Sequence, residues 1–130
     1  MFLGAVIGVV VAAIVAGLML IGSPAEQRKQ RFDERRAQDL ASISLQIRSY
    51  WKMHGALPTT LESLPPTESH GNRDPRTGQP YEYAVLEGAR YRLCADFETE
   101  ASEEYPGWLG FGRHGKGHTC FDQEAGKASQ

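Results

Sequence analysis

The chain lacks every compact signature of catalysis. It has no Gly-x-Ser-x-Gly elbow, no Gly-x-x-x-x-Gly-Lys-Ser/Thr phosphate loop, no His-Glu-x-x-His pair and no dinucleotide fingerprint. The stretch GFGRHGKG at residues 110–117 imitates a phosphate loop in composition only. No core strand is expected to lead into it and no helix N-terminus to follow it, so nothing there would hold an anion. A nucleophile pair of Cys120 with His114 exists on paper and has no further support in the sequence. The expectation is a protein without enzymatic activity and without a cofactor.

Polar side chains are missing from a second place, residues 2–21, FLGAVIGVVVAAIVAGLMLI, which hold no charged or strongly polar group. A soluble core helix needs a polar face to meet water, and this run has none. At about 1.5 Å of rise per residue it spans roughly 30 Å as a helix, the thickness of a bilayer's hydrocarbon core. Ser23-Pro24-Ala25 offers the small residues that a signal peptidase reads. The run nonetheless begins without a basic n-region and exceeds the length of a signal-peptide core, so a retained anchor over residues 1–22 is the preferred reading.

Concentrated positive charge is also absent. Residues 23–54 contain seven Lys/Arg against four Asp/Glu, and residues 55–130 seven against twelve, which together give the net charge of −2. A basic stretch beside an acidic domain fits attraction to a membrane surface and speaks against nucleic acid as a partner. About a hundred residues follow the anchor, enough for one small domain.

Beyond the anchor, Ser23, Pro24 and Glu26 form a helix start signal, with a Ser N-cap, Pro at N1 and Glu at N3. Phe32, Arg36, Leu40, Ile43, Ile47, Tyr50 and His54 then recur at spacings of four and three, placing Phe32, Leu40, Ile43, Ile47 and Tyr50 on one face. Gly55 reads as a left-handed C-cap and Pro58 blocks resumption. The first half, EQRKQRFDERRAQD, is charged almost all round, so residues 23–39 are expected to form a stalk clear of the core, with packing from Leu40 onward. Thr59 and Glu62 predict a second capping box and a short turn around Leu61 to Leu64, and residues 65–80 read as loop.

Strand alternation begins after that loop. Tyr81, Tyr83 and Val85 alternate with Glu82 and Ala84, and Tyr91, Leu93, Ala95 and Phe97 with Arg90, Arg92, Cys94 and Asp96. Glu87-Gly88 joins the two as a hairpin. A third strand, His118 to Asp122, puts Phe121 inward and His118, Cys120 and Asp122 outward. The expected core sets Leu40, Ile43, Ile47 and Tyr50 against Tyr83, Leu93, Phe97 and Phe121. Trp51 and Trp108 read as core or loop packing, with a partner-anchoring role as the alternative.

Both cysteines fall on the polar face of their strands, and three readings stay open. A disulfide between Cys94 and Cys120 would staple the strands and stabilise the fold by about 3.5 kcal/mol in the chain-entropy model. Two unlinked thiols are the second reading. A tetrahedral zinc site of His114, His118, Cys120 and Cys94 is the third, against which FGRHGKGH reads equally well as a solvated Gly-rich surface loop. The acidic residues Asp96, Glu98, Glu100, Glu103 and Glu104 lack the spacing and glycine of an EF-hand and read as a solvated loop.

The combination of an apolar helix, an amphipathic helix, HGALPTTLESL and RDPRTGQPYEY resembles the major pseudopilins of type II secretion and, more loosely, type IV pilin-like proteins. The residues that carry the likeness are Gly55, Leu57, Pro58, Thr59 and Thr60, then Asp74, Pro75, Gly78, Pro80, Tyr81 and Tyr83. The resemblance implies an α+β fold, with a long N-terminal helix packed across a small antiparallel sheet, that serves as a structural or protein-interaction module. Asp74, Gly78 and Pro80 would shape the loop entering the sheet. Prepilins carry a basic leader ending in Gly before a Phe and a Glu at the fifth mature position. Here Met1 precedes Phe2 and Val6 stands at the glutamate's place, which speaks against assembly into a pilus by the usual route. The order YWKMHGALP, DPRTGQPYEY, RLCADF and GKGHTCFD is also similar to a group of uncharacterised bacterial membrane-anchored proteins with the same two cysteines, which implies no known activity.

The resulting expectation is a single-pass protein of the bacterial cytoplasmic membrane: anchor 1–22, charged stalk 23–39, pilin-like domain 40–123 and flexible tail 124–130. Its partners would be the lipid bilayer, through residues 2–21, and a protein. The basic flank of Arg28, Lys29, Arg31, Arg35 and Arg36 favours a cytoplasmic domain. The cysteines and the resemblance favour an extracytoplasmic one, the side preferred. The alternative function is a membrane-anchored ligand- or metal-sensing domain.

Overall fold

The computed structural model of the chain describes residues 2–65, 71–102 and 109–127. Among the described residues, two helices, α1 (Phe2–Ile21) and α2 (Pro24–His54), precede a 3-10 turn (Leu61–Ser63) and three strands, β1 (Glu82–Val85), β2 (Arg90–Phe97) and β3 (Gly117–Glu124). The architecture is α+β. Helix α1 buries none of its residues and is long and apolar enough to cross a membrane.

The junction between the helices follows from local chemistry. Gly22 takes a left-handed φ of 78°, Ser23 is extended, and the Ser23 hydroxyl accepts the Glu26 N–H at 3.2 Å. Pro24 occupies the first turn, where its missing N–H costs nothing. At the other end Gly55, φ 68°, donates its N–H to Trp51 O at 2.8 Å and closes the helix. The following 3-10 turn differs from expectation at its start: Thr60 is the N-cap, no side chain caps it, and the Thr60 hydroxyl lies 3.3 Å from that of Ser63.

The strands form an antiparallel sheet in the order β1-β2-β3. Gly88, φ 64°, turns β1 into β2. The register sets Tyr83 opposite Leu93, Leu93 opposite Phe121, and Cys94 opposite Cys120. Strand β2 is central, with Tyr91, Leu93, Ala95 and Phe97 buried and Arg90, Arg92 and Asp96 exposed, an alternation that buried Cys94 interrupts. Strand β1 is an edge, and its last residue Val85 is 51 % exposed, contrary to the inward position that alternation predicts. Ordered structure also runs past the expected tail boundary. Glu124 still belongs to β3, and buried Ala125 donates its N–H to Ala89 O at 2.9 Å.

The core joins Ala37, Leu40, Ala41, Ile43 and Ile47 of α2 to Tyr91, Leu93, Ala95 and Phe97, with Leu61, Leu64, Tyr81 and Phe111 filling its margins. Tyr50, Trp51, Tyr83 and Phe121 pack on it partly buried. Phe111 is fully buried and meets Phe121 edge-on at 5.0 Å, so the Gly-rich stretch read as solvated contributes an aromatic to the core. The stalk also begins to pack earlier than its charge suggests. Asp33, Arg36, Ala37 and Asp39 are all buried, because each of the three charged members finds a hydrogen-bonded partner.

Candidate functional site

The densest chemistry lies where α2 meets the loop that enters the sheet. Arg36 is the organising group. It sits in the same row as Leu40, so the helix turns its guanidinium inward, and its side chain is 3 % exposed. Its Nε and Nη2 donate to the two carboxylate oxygens of Asp74 at 2.5 and 3.2 Å, and its Nη1 to Asp33 at 2.8 Å and Glu98 at 3.4 Å. Planar two-pronged donation of this kind is what arginine supplies and lysine does not.

Both carboxylates have further partners. Asp33 accepts the backbone N–H groups of Glu98 and Thr99 at 3.0 and 2.7 Å and the Thr99 hydroxyl at 2.6 Å, which ties the end of β2 to the helix. Asp74 accepts the N–H groups of Arg76 and Thr77 at 2.8 and 3.0 Å, while its own backbone pairs with Gln79 and Gly78. Gly78, φ 71°, permits that closure. Pro75 is exposed at the bend, and Pro80 pairs with Arg73 as an isolated bridge. Arg76 extends the junction outward, pairing with Glu98 and lying 5.9 Å from the Phe32 ring centroid.

Protonation states follow from the contacts. Burial opposes the charge of both Arg36 and Asp74, yet the hydrogen bonds between them outweigh it: the arginine is held above its ordinary value and the aspartate below. One turn further along, the Tyr81 hydroxyl donates to Asp39 at 2.8 Å, and burial followed by the charge of Asp39 pushes that phenol strongly upward. The Tyr83 hydroxyl donates to Pro58 O at 2.8 Å, and burial with the neighbouring Tyr91 raises it to about 12. Of the loop residues singled out from sequence, Asp74 and Tyr81 bond side chains of α2 and form the seam against it, Gly78 closes the loop on Asp74, Pro75 and Pro80 are exposed, and Tyr83 bonds Pro58 O beyond the helix. Periodicity did not reveal Asp33, Asp39, Glu98 and Thr99 as members of the seam. The available signal was Arg36, a charge standing in an apolar stripe.

Such a cluster is a lock. Its donors and acceptors are engaged with each other and with backbone. Its effect is to fix the loop and the end of β2 at one position along the helix.

The second cluster lies on the outer face of the sheet. Cys94 and Cys120 are joined by a disulfide across directly paired positions. The bond covers Cys94, which is 2 % exposed despite its outward position. His118 Nδ1 is 3.0 Å from Asp96, and its Nε2 is 3.4 Å from Glu82 and 3.5 Å from Cys120 Sγ. His114 does not join them. It is buried, stacked on Phe97 with centroids 3.7 Å apart and held by paired backbone bonds to Ala101. The four-residue zinc set of the third reading is therefore not assembled: its sulfurs are bonded to each other, and His114 packs with the core. Among the acidic residues, Glu98 is committed to Arg36 and Arg76, while Glu103 and Glu104, like Trp108, lie outside the described residues. Trp51 packs against the core.

No protein-family model matches the chain, and neither a curated protein nor a solved structure matches it.

Proposed function

We propose that the chain is a membrane-anchored structural or protein-interaction module of pseudopilin-like design, without catalysis, its domain presented outside the cytoplasm. The observation that carries this reading is the division of labour between the helices: α1 buries nothing within the chain, whereas α2 commits one face to the sheet. An apolar helix of twenty residues left wholly uncovered calls for an apolar solvent, and a bilayer supplies it. The disulfide supports an oxidising side of the membrane. The buried Arg36 junction supports a rigid display scaffold, since its groups hold one another in place.

The test is membrane fractionation combined with photo-crosslinking from the exposed positions Leu45 and Val85. The expected result is a chain that resists alkaline carbonate, is released by detergent, and gives a discrete protein adduct from at least one position. Release by carbonate, or an absence of adducts from both positions, overturns the proposal.

A further inference from the structure

Across the outer face of the sheet, the strand register sets metal-competent side chains next to one another. Glu82 is the cross-strand partner of Cys94, Cys94 of Cys120, and Asp96 of His118. The ligand atoms of Cys94, His118 and Cys120 all lie within 4.8 Å of one another. We propose that the Cys94–Cys120 disulfide is the closed state of a redox-gated zinc site, whose reduced form binds one Zn²⁺ through Cys94 Sγ, Cys120 Sγ, His118 Nε2 and the Glu82 carboxylate.

The distances between ligand atoms carry the assignment. A tetrahedral zinc, with bonds of about 2.3 Å to sulfur and about 2.0 to 2.1 Å to nitrogen or oxygen, separates a sulfur and a nitrogen ligand by roughly 3.5 Å and a nitrogen and an oxygen ligand by roughly 3.3 Å. Cys120 Sγ and His118 Nε2 are 3.5 Å apart, and His118 Nε2 and Glu82 Oε2 are 3.4 Å apart. Two edges of the tetrahedron are thus in place while the sulfurs are still bonded. The other imidazole nitrogen, Nδ1, lies 3.0 Å from Asp96 Oδ1. That carboxylate holds the proton on Nδ1 and leaves the Nε2 lone pair for the metal, the orienting arrangement common behind zinc-bound histidines. His118, Glu82 and Cys120 are exposed, so both a reductant and the ion can reach them.

The two states differ by two electrons. An external dithiol donates them together with two protons and departs as its own disulfide. The Cys94–Cys120 bond breaks and two thiols form. Zinc then displaces both thiol protons, so uptake of the ion releases two protons to solvent. In the oxidised chain no thiolate exists, and an exposed histidine with carboxylates is left as a poor zinc set. The metal would take over the disulfide's task of joining β2 to β3, so the sheet stays tied in either state.

The test uses the full chain in detergent micelles. The protein is reduced with a water-soluble phosphine, desalted anaerobically and titrated with Co²⁺ and then Zn²⁺. One equivalent should bind the reduced chain, with a thiolate-to-cobalt charge-transfer band that zinc abolishes, and none the oxidised chain. Asp96→Asn should weaken binding by about 10- to 100-fold, as loss of an orienting partner does, and His118→Ala by at least as much. Where the reduced, metal-free chain loses its fold, zinc should restore the circular dichroism of the oxidised protein. Equal binding by oxidised and reduced chains, no stoichiometric binding, unchanged affinity in His118→Ala, or failure of zinc to restore a lost fold each overturns the proposal.

Discussion

Helix α2 holds the domain by two seams of opposite chemistry. Between Asp33 and Asp39 it is fastened by ionic hydrogen bonds to the Asp74 loop and the end of β2; between Leu40 and Ile47 it is fastened by apolar packing on the sheet. The apolar seam drives association, because removing hydrocarbon surface from water is favourable in almost any arrangement. The ionic seam contributes little net energy once desolvation is counted, but it tolerates one arrangement only, since misplacing any member leaves a buried charge unpaired. One seam makes the helix stick and the other says where.

The comparison is most sharply broken at Arg36. Arg36→Ala should destabilise the domain by about 3 to 5 kcal/mol in denaturant melts, because Asp33 and Asp74 stay buried without their cation. A loss below 1 kcal/mol would mean that water replaces the guanidinium freely. Leu93→Ala tests the other seam and should cost about 2 to 5 kcal/mol through lost burial and the cavity left behind. Unchanged melts would remove Leu93 from the core.

Acid should separate the seams without mutation. The Asp74 carboxyl titrates below its ordinary value of 3.8 in the folded chain, so near that pH the unfolded state binds more protons. Its contribution is complete above that value and is lost as pH falls through the folded one. Wild-type stability should therefore drop as pH is lowered below about 4, and Asp74→Asn should flatten that part of the profile. The smallest effect belongs to the outer face. Arg92 pairs with Asp122 through two bonds of 2.6 and 2.9 Å in water, and Arg92→Ala should leave the denaturation midpoint within error of wild type at moderate salt.

Local signals were legible where local physics decides. Ser23, Pro24 and Glu26 marked the start of α2, Gly55 its end and Gly88 the hairpin, since caps and turns depend on a few neighbouring residues. Alternation along β2 and β3 placed both cysteines on the same face, which made their disulfide one of three readable outcomes. The ionic seam was not legible in the same way. Arg36 meets Asp74 and Glu98 at separations of 38 and 62 residues, and charge along α2 alone looks like a solvated stalk until those partners arrive. Val85 failed for a related reason, because alternation predicts a side chain's direction and not whether anything lies there to cover it. The buried Phe111 and His114 sit among glycines whose composition signals a surface loop.

The segment of α2 between Pro24 and Phe32 precedes the first buried side chain, Asp33. At about 1.5 Å per residue these nine positions measure roughly 13 Å, more than the headgroup layer on one side of a bilayer. With α1 in a membrane, that length works as a ruler. Were α2 to continue along the membrane normal, it would set the height above the bilayer at which the first packed side chain, Asp33, stands.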